Sequence, residues 1–115
     1  MINLKVDEAY AFDFLSILEI KSRKNPLLRT SYLECRYHIA NQLSEKLFKD
    51  IIISNEYLEL LETNQKTFEA VDKAKLNLID AKYVDECNYE RYLKKQALQN
   101  KFFKTKLEET KIGYK

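Results

Sequence analysis

His38 is the only histidine in the chain, and Cys35 and Glu34 precede it by three and four residues, about one helical turn. An imidazole, a thiol and a carboxylate on neighbouring turns are the groups from which a zinc site or an activated nucleophile is built. The set is incomplete for either purpose. Zinc takes about four protein ligands in a structural site, so Cys87 would have to come in from another segment, and no second histidine exists. The Glu-x-x-His pairs of di-iron carboxylate proteins are missing, and periodicity places no serine beside His38 for a nucleophile–base pair. On a helical wheel His38 falls with Glu34, Gln42 and Glu45, which predicts a solvated histidine. No metal ligand and no catalytic residue is assigned.

Glu59-x-x-Glu62 and Glu69-x-x-Asp72 form a second candidate, because carboxylates that converge can hold a hard cation. These residues resemble the paired acidic motifs with which all-α nucleotide pyrophosphatases of the MazG type hold magnesium, and the resemblance covers these residues alone. It implies a magnesium-dependent nucleotide hydrolase. Those enzymes set the two motifs on separate, facing helices, whereas here six residues separate them on one predicted helix. A solvated acidic face with no cofactor is the expectation, and the hydrolase a distant alternative.

The third candidate is a charge asymmetry. Residues 1 to 90 hold 12 Lys and Arg against 16 Asp and Glu, while residues 91 to 115 hold 8 against 2. Arg91, Lys94, Lys95, Lys101, Lys104, Lys106 and Lys111, interleaved with Tyr92, Phe102 and Phe103, offer a surface for phosphates and stacked bases, or for an acidic protein. The competing expectation is internal. If the chain reverses near residue 78, Lys95 to Lys101 lie beside Glu56 to Glu62 and select the pairing of two helices.

The elements that position these groups are predicted to be helical throughout. With 115 residues, one Gly and one Pro, the chain has the length of a single domain and too few turn formers for a β-sandwich or a glycine-rich phosphate loop. Ile2 to Val6 alternates like one short strand, with Asp7 as N-cap of a helix over 8–23 whose apolar side reads Tyr10, Ala11, Phe14, Leu15, Ile17 and Leu18. A second helix is expected over 26–53, entered through Asn25-Pro26 or through a capping box of Ser31 and Glu34. Its apolar side carries Tyr32, Leu33, Ile39, Ala40, Leu43, Leu47 and Ile51. Ser54 caps a third, 55–76, with the stripe Tyr57, Leu60, Leu61, Phe68, Val71 and Ala74. Asn77 in a left-handed conformation and Asp80 as the next N-cap then reverse the chain into a fourth, 81–107, followed by a frayed tail 111–115.

The fourth helix has two apolar lobes: Tyr89, Tyr92, Leu93, Phe103 and Leu107 on one, Val84, Cys87, Leu98 and Phe102 on the other. Such a helix must be covered on more than one side, either centrally in the bundle or by another chain. Tyr89, Tyr92, Leu98, Phe102 and Phe103 are therefore the candidate interface residues. Apolar runs such as Ile51 to Ile53 are far shorter than the roughly 18 residues a membrane span needs, and two isolated cysteines fit a reducing compartment. The expectation is an all-α antiparallel bundle of about four helices with a long C-terminal αα-hairpin. It is cytoplasmic, without a membrane partner, and acts non-catalytically as a homo-oligomer; nucleic-acid binding by the basic segment is the alternative.

Overall fold

The computed structural model describes Ile2 and residues 5–103. All regular structure among them is helical: α1 (Glu8–Lys24), a 3₁₀ turn (Pro26–Leu28), α2 (Arg29–Gln42), α3 (Glu45–Ile52), α4 (Asn55–Lys75) and α5 (Ala81–Phe102). The protein is an all-α bundle. No strand occurs among the described residues at the N-terminus, in contrast to the alternation of Ile2 to Val6; Asn3 and Leu4 lie outside the described residues.

Several helix boundaries follow from capping chemistry. The Asn25 side chain accepts the Leu27 amide at 3.1 Å, with Pro26 leading the 3₁₀ turn, and Ser54 Oγ accepts the Tyr57 amide at 3.2 Å to start α4. Helix α4 ends in a Schellman motif: the Leu78 amide donates to the Lys73 carbonyl at 2.9 Å and the Asn77 amide to Ala74 at 3.0 Å. Asn77 has φ of 59°, the left-handed conformation that the motif requires. Asp80 then starts α5 from extended backbone, without a side-chain cap bond. The result is the expected antiparallel hairpin, with Lys66 Nζ 3.4 Å from Glu90, Lys94 Nζ 3.2 Å from Glu59 and Lys101 Nζ 3.4 Å from Glu56.

Two elements differ from the sequence reading. The helix expected over 26–53 is divided: Leu43 is extended, and Ser44 Oγ accepts the Leu47 amide at 3.1 Å to cap α3 as a separate element. Ser31 lies inside α2 and caps nothing. The fourth helix stops at Phe102, with Phe103 extended, and not at Leu107; residues 104–115, including the tail, lie outside the described residues.

The core is formed by Ala9, Phe12 and Leu15 of α1, Tyr32 of α2, Phe48 and Ile51 of α3, Tyr57 and Leu60 of α4 and Leu98 of α5. The Phe12 ring lies 5.9 Å from Phe48 and 6.2 Å edge-on from Tyr57, so one residue of α1 joins α3 to α4. Helix α1 is rotated from its expected setting. Ala9, Phe12, Asp13, Leu15, Ser16 and Ile20 face inward, while Tyr10 and Phe14 are 51% and 52% exposed.

Candidate interaction surface

The inward turn of α1 has a polar cause. Asp13 is buried and takes two hydrogen bonds from Arg91 of α5, Nε to Oδ1 at 3.1 Å and Nη2 to Oδ2 at 2.7 Å. Asn64 of α4, also buried, donates to Asp13 Oδ1 at 2.9 Å and to Ser16 Oγ at 2.7 Å. One carboxylate thus ties α1 to both arms of the hairpin, and its acceptor positions are used, as a buried charge requires. A second polar link lies one end further along α5: the Gln99 side chain accepts the Ala9 amide at 2.8 Å and donates to Glu8 at 2.9 Å. That arrangement satisfies an amide of the first turn of α1, which has no carbonyl four residues earlier within the helix.

These links decide the fate of the basic residues singled out in the sequence. Arg91 is held by Asp13, and Lys94 and Lys101 meet Glu59 and Glu56 across the hairpin. Lys95 is 4% exposed, with its ammonium 5.7 Å from the centre of the Tyr10 ring. Lys104 and Lys106 lie outside the described residues. The positive charge of α5 is therefore turned largely towards the protein itself.

The candidate interface residues separate in the same way. Leu98 is fully buried and Tyr92 nearly so, enclosed by the protein's own helices, so both are core positions and not surface anchors. Phe102 and Phe103 are half-buried against the edge of that core. Tyr89 alone of the five is exposed, at 44%, and its ring stacks on Tyr92 at 6.2 Å. Leu93, one turn on from Tyr89, is exposed as well. Tyr10 and Phe14, one turn apart on α1, and Tyr89 and Leu93, one turn apart on α5, are thus two exposed apolar pairs, and the Lys95 ammonium stands over the Tyr10 ring. The periodicity of α1 predicts Tyr10 and Phe14 on its apolar side; with Asp13 turned inward they are exposed instead.

The groups that suggested chemistry are dispersed. His38 is exposed and lies edge-on to Tyr37, and Cys87 is buried on α5, far along the chain from half-buried Cys35, whose thiol burial pushes up from its ordinary pKa. Glu59, Glu62, Glu69 and Asp72 are exposed on the single helix α4, where Glu59 meets Lys94 and Glu69 accepts from Gln65. Among the described residues no three His, Cys, Asp or Glu side chains converge as a metal site. Tyr57 carries a strongly perturbed phenol. Burial, followed by the Glu19 carboxylate that accepts its hydroxyl at 3.1 Å, pushes its pKa far above the ordinary tyrosine value. It lies in the core without an opening to substrate.

A shallow cleft of about 300 Å³ between α2 and α3 is lined by Leu33, Tyr37, Ala40 and Phe48, and another of about 570 Å³ flanks the hairpin turn beside Leu78, Ile79 and Tyr83. No described helix is long and apolar enough to cross a membrane. Compared with known proteins, the chain matches no family model, no curated protein and no solved structure significantly.

Proposed function

We propose that this protein works without catalysis, through contacts between helix surfaces, and that it associates with copies of itself through exposed apolar side chains of α1 and α5, among them Tyr10, Phe14, Tyr89 and Leu93. The observation that carries this reading is the exposure of four large apolar side chains, two on α1 and two on α5, each between 44% and 52%. Large apolar side chains repeated one turn apart on an exposed helix face suit a protein contact, and tyrosine fits there because its ring buries area while its hydroxyl tolerates water. The cytosolic setting expected from the sequence is supported by two free thiols, Cys35 and Cys87, on separate helices.

Sedimentation equilibrium at micromolar concentration tests the proposal. The expected mass exceeds the 13.7 kDa of one chain and returns to it in a Phe14→Glu, Leu93→Glu variant that keeps its helical circular dichroism. A wild-type monomer under these conditions would overturn the proposal. Phe102→Glu would be a poor probe, because Phe102 packs against the core and its loss tests folding. Nucleic-acid binding along α5 has less support, since Lys94 and Lys101 already have carboxylate partners and Arg91 is bound to Asp13.

A further inference from the structure

The corner between α1 and α2 has a composition of its own. From Lys21 to Arg29 the chain carries Lys21, Arg23, Lys24 and Arg29 and no carboxylate, and Leu27 at its tip is 87% exposed. The tip is firmly built: Pro26 leads the 3₁₀ turn, and the Asn25 side chain accepts the Leu27 amide, so Leu27 is presented on fixed backbone. Part of the charge has a local explanation. Lys21, Arg23 and Lys24 complement the negative end of α1, and Arg23 also pairs with Glu19 at 2.7 Å.

Arg29 has no such explanation. It is the first residue of α2, at the positive end of that helix, where a carboxylate would be favoured and the first turn holds none. Its guanidinium sits 5.9 Å from the Tyr32 ring centre. Among the described residues no carboxylate pairs with Lys21, Lys24 or Arg29. An aliphatic side chain held out on fixed backbone thus belongs to a nine-residue stretch, 21–29, whose exposed cations Lys21, Lys24 and Arg29 can meet phosphate.

We infer that this corner docks on an anionic membrane surface, with Leu27 entering the boundary between headgroups and acyl chains while Lys21, Lys24 and Arg29 lie against lipid phosphates. Lipid fits better than nucleic acid because the presented side chain is aliphatic. Single strands are held by stacking on exposed aromatics, whereas residues 21–29 hold none and Tyr32, the ring beside Arg29, is buried. The contact is peripheral, which agrees with the absence of a spanning helix among the described residues and departs from the expectation that membranes play no part. It is independent of the self-association proposed above, which uses other residues.

Vesicle co-sedimentation of the full chain decides the matter, with vesicles of phosphatidylcholine alone or with roughly 40% phosphatidylserine, at low and moderate salt. Binding is expected to the anionic vesicles only, to weaken about tenfold or more between roughly 50 and 200 mM salt, and to disappear in Lys21→Gln, Lys24→Gln, Arg29→Gln. Leu27→Ser should weaken it by about threefold to tenfold with the salt dependence kept, because the ion contacts remain. All these positions are exposed, so circular dichroism of the variants should match the wild type. No binding to anionic vesicles at low salt would overturn the inference. So would binding unchanged by the triple variant, or capture of a single-stranded oligonucleotide without capture of vesicles.

Discussion

Asp13 and Arg91 stand 78 residues apart in sequence and are joined by two parallel hydrogen bonds of 3.1 and 2.7 Å, with the carboxylate side chain 6% exposed and the guanidinium 23%. The pair fixes which side of α1 faces the hairpin, and through that which aromatic side chains are left outside.

Removing one partner from such a pair leaves a charge in a desolvated place. Asp13→Ala should lower the unfolding free energy in urea by about 3 kcal/mol, the low end for a broken buried pair because Arg91 retains some access to water. Arg91→Lys keeps the charge but loses the two-pronged geometry, and should cost about 1 kcal/mol. A loss below about 0.5 kcal/mol for Asp13→Ala would place the pair in the class of surface ion pairs and remove its organising role.

Leu98 distinguishes core from interface. With its side chain fully enclosed by its own chain, Leu98→Ala should cost about 2 to 5 kcal/mol, and the cost should be the same at every protein concentration. An interface residue would behave otherwise, its effect growing as concentration rises because association stabilises by mass action.

Asn77 is the one non-glycine residue with positive φ among those described. Asn77→Gly should leave thermal stability unchanged or raise it slightly, whereas Asn77→Val should lower it by about 1 to 2 kcal/mol, since a β-branched side chain resists the left-handed conformation. Equal effects of the two substitutions would contradict the Schellman geometry at the hairpin turn.

Tyr57 gives the pH dependence its sign. In the unfolded chain a tyrosine titrates near about 10, and the folded value is higher because burial and Glu19 oppose the phenolate. The stabilisation from keeping Tyr57 neutral is complete below that pH and is lost as the pH rises beyond it. Stability measured by urea titration should therefore fall above pH of about 10, and less steeply in Tyr57→Phe, which should also cost about 1 kcal/mol at neutral pH through loss of the bond to Glu19. An unchanged alkaline slope in that variant would assign the dependence to other groups.

The hairpin was legible in the sequence because its signals are local: Ser54 and Asn77 each act on backbone within a few residues of themselves. The polar faces of Glu34, His38 and Glu45, and of Glu59, Glu62 and Lys66, were legible for the same reason. The rotation of α1 was not. A wheel assigns Asp13 and Ser16 to water, and only Arg91 and Asn64, remote in sequence, make their burial favourable. The break at Leu43 was hidden because Leu43, Leu47 and Ile51 keep helical spacing across it, although Ser44 before Glu45 was a usable cap signal. Leu98 and Tyr92 were misplaced for a related reason: two apolar lobes reveal that a helix is covered twice, but not by what.

The way α1 is fastened also bears on the order of folding. Helices α4 and α5 meet through a turn of a few residues, whereas α1 reaches α5 only after nearly the whole chain has been ordered. The shorter loop closes at lower entropic cost, so the hairpin is expected to form early and α1 to dock afterwards. Breaking the Asp13–Arg91 pair should then quicken unfolding while leaving the refolding rate nearly untouched. Of the five α-helices, the one earliest in sequence would be the last to find its place.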